Sequence, residues 1–485
     1  MKDPKEKKQK KSRRTLKKVL LNLFAVLFAI VFTGNVIASE NAGQINQVLG
    51  TKTSMTVSTA PAGTEETYTR YFESRFSSVA ELKAAGEAKV REVEGEGIVL
   101  LKNENGILPL SRGSQVSLVG VTVMDPVYGG TGSGAVDADG APNYYDVLTG
   151  AGYNVTDKAL LDYYVDNELK RNTHEIGELR WKKVIKNCDD TIGQGEDAIF
   201  VVGRVGGEGD DVTAEKEDAL DGDYLTLNED ELSILEGLKE LKDDGDIRSI
   251  TVIINSANPI STGFLYSDDY GVDAALWVGS VGQTGLYAVG DVLTGDVNPS
   301  GKLPFTWYAS LDQCGAHATG SYPGTWREDH QIIDEEYKEG LFVGYRWTDR
   351  LKKQQPLFPF GHGLSYTTFK IGKVTADKKA MTADEQITFT VDVTNTGERA
   401  GAETVQLYIS DLKASVERPV KELKGFSKVC LQPGETQAVS ITIDKAALSF
   451  YDDQAGQWKA EPGDFKALIG NSSNNIVSSY SFTLK

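Results

Sequence analysis

The sequence is poor in the residues that bind metal ions and form disulfides. Its 485 residues include only three cysteines and four histidines. The cysteines are odd in number, lie far apart and form no CxxC pair, which argues against a disulfide framework or a zinc site. The histidines show no HExxH or similar spacing. We therefore expect isolated thiols, no metal site and no cofactor.

Positive charge is scarce over most of the chain, whose net charge is −19. An acidic body repels nucleic acid, which requires a positive footprint. The exception is the basic segment 1–18, which has ten basic and two acidic residues. Because basic residues stay cytoplasmic, this segment predicts that the body of the protein is exported.

The apolar segment 19–38 follows directly, at about the ~20 residues that are needed to cross a bilayer. Two interpretations remain open. A retained transmembrane helix, favoured by the long apolar run and the basic flank, would anchor the protein with its body outside the cell. A signal peptide cleaved near Ala38 would instead release a secreted protein. The polar, Ser/Thr-rich residues 39–78 are predicted to form a linker.

Residues 79–369 have the alternating pattern of an α/β domain. Continuous apolar runs predict buried strands, and a helical pattern fills 78–96. A second helix is marked by Asn228 as its N-cap and Glu231 at the capping-box position. Strands that alternate with helices form a mainly parallel sheet flanked by helices. The predicted strands are Ile98–Leu101, Val116–Gly120, Ala198–Gly203, Ile250–Asn255 and Asp273–Gly279.

The pattern changes in residues 370–485, where apolar and polar residues alternate strictly. Ile387, Phe389, Val391 and Val393 are one such series, and turn signals separate it from the next. Short alternating strands at this spacing predict an antiparallel β-sandwich. The body is therefore expected to have two domains of different class.

Two glycine-rich loops follow buried strands in the α/β domain. They are GGTGSG, 129–134, and GRVGGEGDD, 203–211. Ligands of open α/β sheets bind beyond the carboxyl ends of the strands, so both loops are expected at one rim. Thr131, Ser133 and Arg204 would bind the hydroxyls of a sugar there, and Glu208 would project from the rim as an acid.

Several segments, in this order, make the chain resemble glycoside hydrolase family 3, to which many β-glucosidases belong. The resemblance covers about residues 92–473 and is highly specific. Besides the two glycine loops, the matching segments are EGIVLLKNENGILPL (96–110), IINSANPI (253–260), VDAALWVGSVGQTGLYAVGDVLTGDVNPSGKLPFTW (272–307), YKEGLFVGYRW (337–347) and PLFPFGHGLSYTTF (356–369), with VDVTNTGERAGAETVQLYIS, RPVKELKGFSKVCLQPGE and EPGDFKALIGNSS from the sandwich.

The resemblance implies three parts: a (β/α)8 barrel, an α/β sandwich domain and a fibronectin type III-like domain. It implies a retaining, exo-acting enzyme for β-linked oligosaccharides or glycosides, with its nucleophile, an aspartate, on the barrel. In many members the acid/base is a glutamate in a segment like RxxGEGxD, which corresponds to Glu208. The family often has arginine where Asp211 stands, so the loop departs slightly from the pattern.

No barrel and no nucleophile of the family type can be matched to this sequence. The chain looks like the first half of a permuted member, so the barrel is expected downstream or in trans. The runner-up hypothesis is a non-catalytic, membrane-tethered carbohydrate-binding or accessory protein. Under the enzyme hypothesis, desolvation beside a sugar and apolar walls is expected to raise the pKa of Glu208 and keep it protonated.

Overall fold

The computed structural model describes most of the chain beyond residue 73. The described ranges are 74–169, 176–188, 192–193, 197–208, 224–321, 325–327, 332–351 and 355–485, with 18, 20–24, 26–33, 35 and 38 near the N-terminus. The chain divides into two compact units, Met1–Arg75 and Phe76–Lys485.

The described N-terminal residues between 18 and 38 are helical. Within the described part of the chain, however, no helix combines the length and the apolar character required to span a bilayer. The structure therefore does not support the predicted transmembrane helix, although segment 19–38 is described only in part. Residues 1–17, and 39–73 of the predicted linker, lie outside the described residues.

A six-stranded sheet forms the centre of the α/β domain. Its strand order is β1-β6-β5-β4-β2-β3; strands β2 to β6 are parallel to one another, and β1 is antiparallel to β6. Every residue of β4 and β5 is buried, so this part of the sheet is covered on both faces, as predicted. The strands are β1 Val99–Asn103, β2 Gln115–Val119, β3 Asn154–Val155, β4 Asp197–Arg204, β5 Ser249–Ser256 and β6 Ala274–Trp277.

Several helices pack against this sheet, whereas the short helix Lys445–Leu448 packs in the β-sandwich. In α5, Asn228 and Glu231 form the predicted capping box, which satisfies two N–H groups at the start of the helix. In α1 the predicted helix is present, but its apolar residues Val79, Leu82 and Val93 are exposed. The helices are α1 Val79–Gly97, α2 Tyr144–Gly150, α3 Lys158–Asp166, α4 Trp181–Asn187, α5 Glu229–Asp244, α6 Leu286–Thr294, α7 Gly315–Thr319, α8 Tyr345–Leu351 and α9 Lys445–Leu448.

The remaining strands form the predicted β-sandwich and two hairpins. One sheet contains β9, β10, β12 and β15, and the other has the order β11-β19-β18-β13-β14. Ile387, Phe389, Val391 and Val393 are all buried in its core. The strands are β7 Thr325–Arg327, β8 Ile332–Asp334, β9 Phe369–Ile371, β10 Thr375–Ala376, β11 Ala380–Met381, β12 Ile387–Asn395, β13 Gly401–Asp411, β14 Glu422–Leu431, β15 Thr436–Ile443, β16 Phe450–Asp452, β17 Gln457–Lys459, β18 Gly463–Gly470 and β19 Ile476–Leu484.

Polar contacts join the α/β domain to the sandwich. Lys302 pairs with Glu403 at 2.7 Å and donates to the Gly363 carbonyl at 2.7 Å. Gln406 in β13 donates to the Gly361 carbonyl at 3.2 Å. These contacts give Lys302 a structural role at the junction of the two domains.

Glu94, a half-buried glutamate whose carboxyl oxygen Oε1 is buried, lies on α1 beside the start of α6. A Cβ atom added at Gly285 would lie 3.2 Å from the Cβ of Glu94, and no described group is hydrogen-bonded to Glu94 Oε1. Burial raises the pKa of Glu94 to about 8, because the charged form loses its hydration. Glu94 therefore contributes a pH-dependent term to stability.

Glu94→Gln should raise the melting temperature at about pH 8.5 and change it little at about pH 4.5. Between its ordinary pKa, near 4.5, and about 8, the folded protein binds the Glu94 proton more tightly than the unfolded chain. Stability therefore falls as pH rises, by at most about 1.4 kcal/mol per pH unit, and glutamine removes this loss. Calorimetry across the pH range tests this, with exposed Glu87→Gln on the same helix as control. An equal shift at both pH values would contradict it.

Candidate active site

The two glycine loops meet at the carboxyl edge of the sheet, as the sequence predicted. A Cβ atom at Gly130 would lie 2.6 Å from the Gly206 carbonyl oxygen, and one at Gly207 would lie 2.5 Å from the Thr131 backbone nitrogen. Real Cβ atoms do not approach backbone atoms this closely, so glycine is required at both positions. The two loops therefore form one continuous surface.

Glu208 lies on this surface and is exposed. Its Oε2 accepts a hydrogen bond from the Ser133 backbone N–H at 2.9 Å, and its carbonyl oxygen accepts one from Thr131 Oγ1 at 3.0 Å. The structure thus brings together Glu208, Thr131 and Ser133, three of the four predicted site residues. Thr131 and Ser133, which were predicted to bind sugar hydroxyls, contact Glu208 in the structure.

Hydrogen bonding determines the direction of the pKa shift of Glu208 in this structure. Hydrogen bonding from Ser133 lowers the pKa of Glu208, and desolvation opposes this only weakly. A hydrogen bond donated to a carboxylate favours its charged form. The expected rise concerns a carboxyl group beside a sugar and apolar walls, whereas this carboxyl group faces solvent, so that expectation stays a prediction.

Arg204, the fourth predicted residue, occupies a different environment. It ends β4 and is 1% exposed. Its guanidinium donates to both carboxylate oxygens of Glu231 at 2.8 Å and to the carbonyls of Gly203, Tyr224 and Thr226. These bonds use all five N–H donors of an arginine. In this structure Arg204 therefore supports the loop and has no donor left for a sugar hydroxyl.

Asn255 is a residue of this edge that the sequence reasoning missed. It is fully buried near the end of β5. Its side chain accepts from the Val127 N–H at 2.8 Å and donates to the carbonyls of Val127 and Gly279. It thereby ties together the chain segments that follow β2 and β6. The available signal was an amide side chain at the end of an otherwise apolar strand.

Among the described residues, no group of three or more His, Cys, Asp or Glu side chains could hold a metal ion. Cys188, Cys314 and Cys430 form no disulfide bond. Residues 209–223, which include Asp211, lie outside the described residues.

A sheet of mainly parallel strands with an exposed glutamate at its carboxyl edge, followed by a β-sandwich, defines a two-domain α/β protein with a candidate ligand site. Residues 98–366 match the glycosyl hydrolase family 3 C-terminal domain, and residues 403–473 match a fibronectin type III-like domain. The chain belongs to glycosyl hydrolase family 3.

Relatives and solved structures agree with this assignment. Thermostable beta-glucosidase B of Acetivibrio thermocellus is 35% identical over 395 residues, covering 81% of this chain and 48% of the relative. Periplasmic beta-glucosidase of Salmonella typhimurium is 31% identical over 411 residues, covering 80% and 49%. The structure of beta-glucosidase 3B from Thermotoga neapolitana in complex with glucose superposes with a TM-score of 0.70 at 29% identity, covering 83% of this chain and 54% of that one. The chain thus spans about half the length of these proteins.

Proposed function

We propose that this chain supplies the acid/base half of the active site of a retaining, β-glucosidase-like glycoside hydrolase. The observation that carries the proposal is Glu208, held at the sheet edge by contacts from the opposing glycine loop. Its place in the RVGGEG segment matches the family pattern for the acid/base. The names of the relatives, which are beta-glucosidases, support β-linked glucosides as the substrate class.

Retaining hydrolysis requires two carboxyl groups about 5–5.5 Å apart, on opposite sides of the scissile bond. One attacks the anomeric carbon and forms a glycosyl-enzyme intermediate. The other protonates the leaving oxygen and then removes a proton from the attacking water. Glu208 takes the second role in this proposal. The first belongs to an aspartate on the barrel part of the family.

The lowered pKa of Glu208 suits the base in the second step, which must be ionised. For the first step the same group must carry a proton. A sugar bound against the loop would displace water from the carboxyl group, and desolvation would raise its pKa. We therefore propose that Glu208 gains its acidic proton when the site is closed over a substrate.

A chimera tests this function. In it, the present chain replaces the matching half of the Acetivibrio thermocellus relative, so that the remainder of that relative supplies the nucleophile. The chimera should hydrolyse aryl β-glucosides, whereas the full chain alone should do so little or not at all. Glu208→Gln in the chimera should lower turnover by about 10²- to 10⁴-fold for poor leaving groups, which require a proton. A dinitrophenolate leaves without one, so its glucoside should lose much less in the glycosylation step.

The control is Glu417→Gln, which alters an exposed glutamate of the sandwich and should leave turnover unchanged. If the folded chimera is active and Glu208→Gln loses nothing with any leaving group, the acid/base assignment fails. If the full chain binds oligosaccharides while a folded chimera stays inactive, the accessory carbohydrate-binding alternative is supported instead.

Export is a further part of the proposal. The basic segment 1–18, followed by the apolar segment 19–38, supports it, as does the name of the Salmonella typhimurium relative, periplasmic beta-glucosidase. Cell fractionation would locate the protein, and the N-terminal sequence of the mature form would show whether the apolar segment is cleaved or retained. Recovery of the protein in the cytoplasm would contradict export.

A further inference from the structure

Glu208 lies in the loop between β4 and α5, of which residues 205–208 and 224–228 are described. These two described parts lie side by side, because the Val205 N–H donates to the Tyr224 hydroxyl at 2.8 Å. Arg204 binds the returning end, since its guanidinium donates to the Tyr224 carbonyl and, at 2.6 Å, to the Thr226 carbonyl. The base of the loop is therefore closed by Arg204 and Tyr224.

The Arg204 guanidinium is also held by Glu231 on α5. Two parallel hydrogen bonds of 2.8 Å join the guanidinium to the Glu231 carboxylate, a bidentate geometry that sets direction as well as distance. The carboxylate also accepts the Asn228 N–H at 2.9 Å, as part of the helix cap. Both charged side chains are at most 2% exposed, so solvent does not compete for these bonds.

We propose that Arg204, Glu231 and Tyr224 form a clamp that positions Glu208 for proton transfer. This inference rests on the proposed function. The clamp joins the end of β4, both ends of the loop and the start of α5 at one point, only four residues from Glu208. None of its members touches the substrate; they act by fixing the loop backbone, and so the carboxyl group. A displacement of about 1 Å at a catalytic group can cost about 100-fold in rate.

A stabilising role alone would also explain a buried ion pair, so the test must separate the two. The strand itself offers a matched control: at the opposite end of β4, buried Asp197 accepts from Arg248 at 3.0 and 2.6 Å. Arg204→Lys and Arg248→Lys make the same chemical change, since lysine cannot reproduce a bidentate fork. Only Arg204→Lys alters a residue that contacts the loop of Glu208.

The experiment compares aryl β-glucosides with poor and good leaving groups, using this chain completed by the barrel part of its relative. Arg204→Lys and the milder Tyr224→Phe should lower kcat/KM, which reports the glycosylation step, by about 10- to 100-fold for poor leaving groups. The loss should be much smaller for the dinitrophenyl glucoside, which needs no proton donor. Arg248→Lys should change kcat/KM by the same factor for both kinds of substrate. Tyr224→Phe removes only the hydroxyl that accepts the Val205 N–H, so it keeps the test valid if Arg204→Lys fails to fold.

The outcomes separate this inference from the proposed function. If Glu208→Gln shows the leaving-group dependence and Tyr224→Phe does not, the clamp is overturned and the proposed function stands. If the activity loss in Glu208→Gln does not depend on the leaving group, the proposed acid/base function is itself overturned. A uniform loss in Arg204→Lys, equal for all leaving groups and matched by Arg248→Lys, would reduce the ion pair to a stabilising role.

Discussion

Trp307→Ala should destabilise the folded protein by about 3–5 kcal/mol, the range for removing a large buried aromatic side chain. Trp307 is fully buried, and its ring packs edge-on against those of Trp277, Phe305 and Phe358, with centroids 5.4 to 6.4 Å apart. Its indole N–H donates to the Ile260 carbonyl. Alanine would leave a cavity among these rings and an unpaired buried carbonyl.

The change is large compared with the total stability of a folded domain, about 5–15 kcal/mol. Urea unfolding, followed by far-UV circular dichroism, measures it. Trp458→Ala is the control, because Trp458 is 69% exposed on the β16–β17 hairpin and its loss should change stability by about 0.5 kcal/mol or less. Equal shifts of the two unfolding midpoints would show that Trp307 does not anchor the core.

The strands could be predicted from the sequence where a continuous apolar run forms a buried strand. The predicted strand Ile250–Asn255 is observed at Ser249–Ser256, one residue longer at each end. A continuous apolar run does not give strand direction, which is why the antiparallel pairing of β1 with β6 was not predicted. The two-residue strand β3 is too short to leave a pattern.

Helix α1 shows the limit of periodicity. Its spacing of apolar residues predicted a helix correctly, yet Val79 is 69% exposed and Val93 is 62% exposed. Periodicity reports that a helix has an apolar face. It does not report whether another part of the described chain covers that face.

The candidate site was predicted in position but not in detail. Glycine loops after adjacent parallel strands indicated a common edge, and Glu208 does lie there beside Thr131 and Ser133. The role of Arg204 depended on Glu231, 27 residues later in the chain, a pairing that sequence spacing does not show. The lowered pKa of Glu208 depends on hydrogen bonding from the side chain and the backbone N–H of Ser133, a contact between loops that only the folded chain defines.

Disrupting the contact between the two glycine loops should strongly reduce activity. Gly207→Ala should lower kcat/KM of the completed enzyme by about 100-fold while leaving the melting temperature nearly unchanged. The new Cβ would lie 2.5 Å from the Thr131 backbone nitrogen and 3.0 Å from its carbonyl oxygen. Backbone atoms of a held loop cannot move aside as a side chain can, so the loops must separate. Glu208 then loses its contacts with Thr131 and Ser133.

The neighbouring Gly206→Ala makes the matched comparison. There the nearest atom to a new Cβ is the side-chain oxygen of Asn258, at 3.0 Å, and a side-chain amide can shift by a few tenths of an ångström. Gly206→Ala should therefore lose much less activity than Gly207→Ala, although both add one methyl group to one loop. Steady-state kinetics on an aryl β-glucoside with a poor leaving group measures both. Equal activities would mean that the loop contact does not hold Glu208 in place, because the sterically severe change would then cost no more than the mild one.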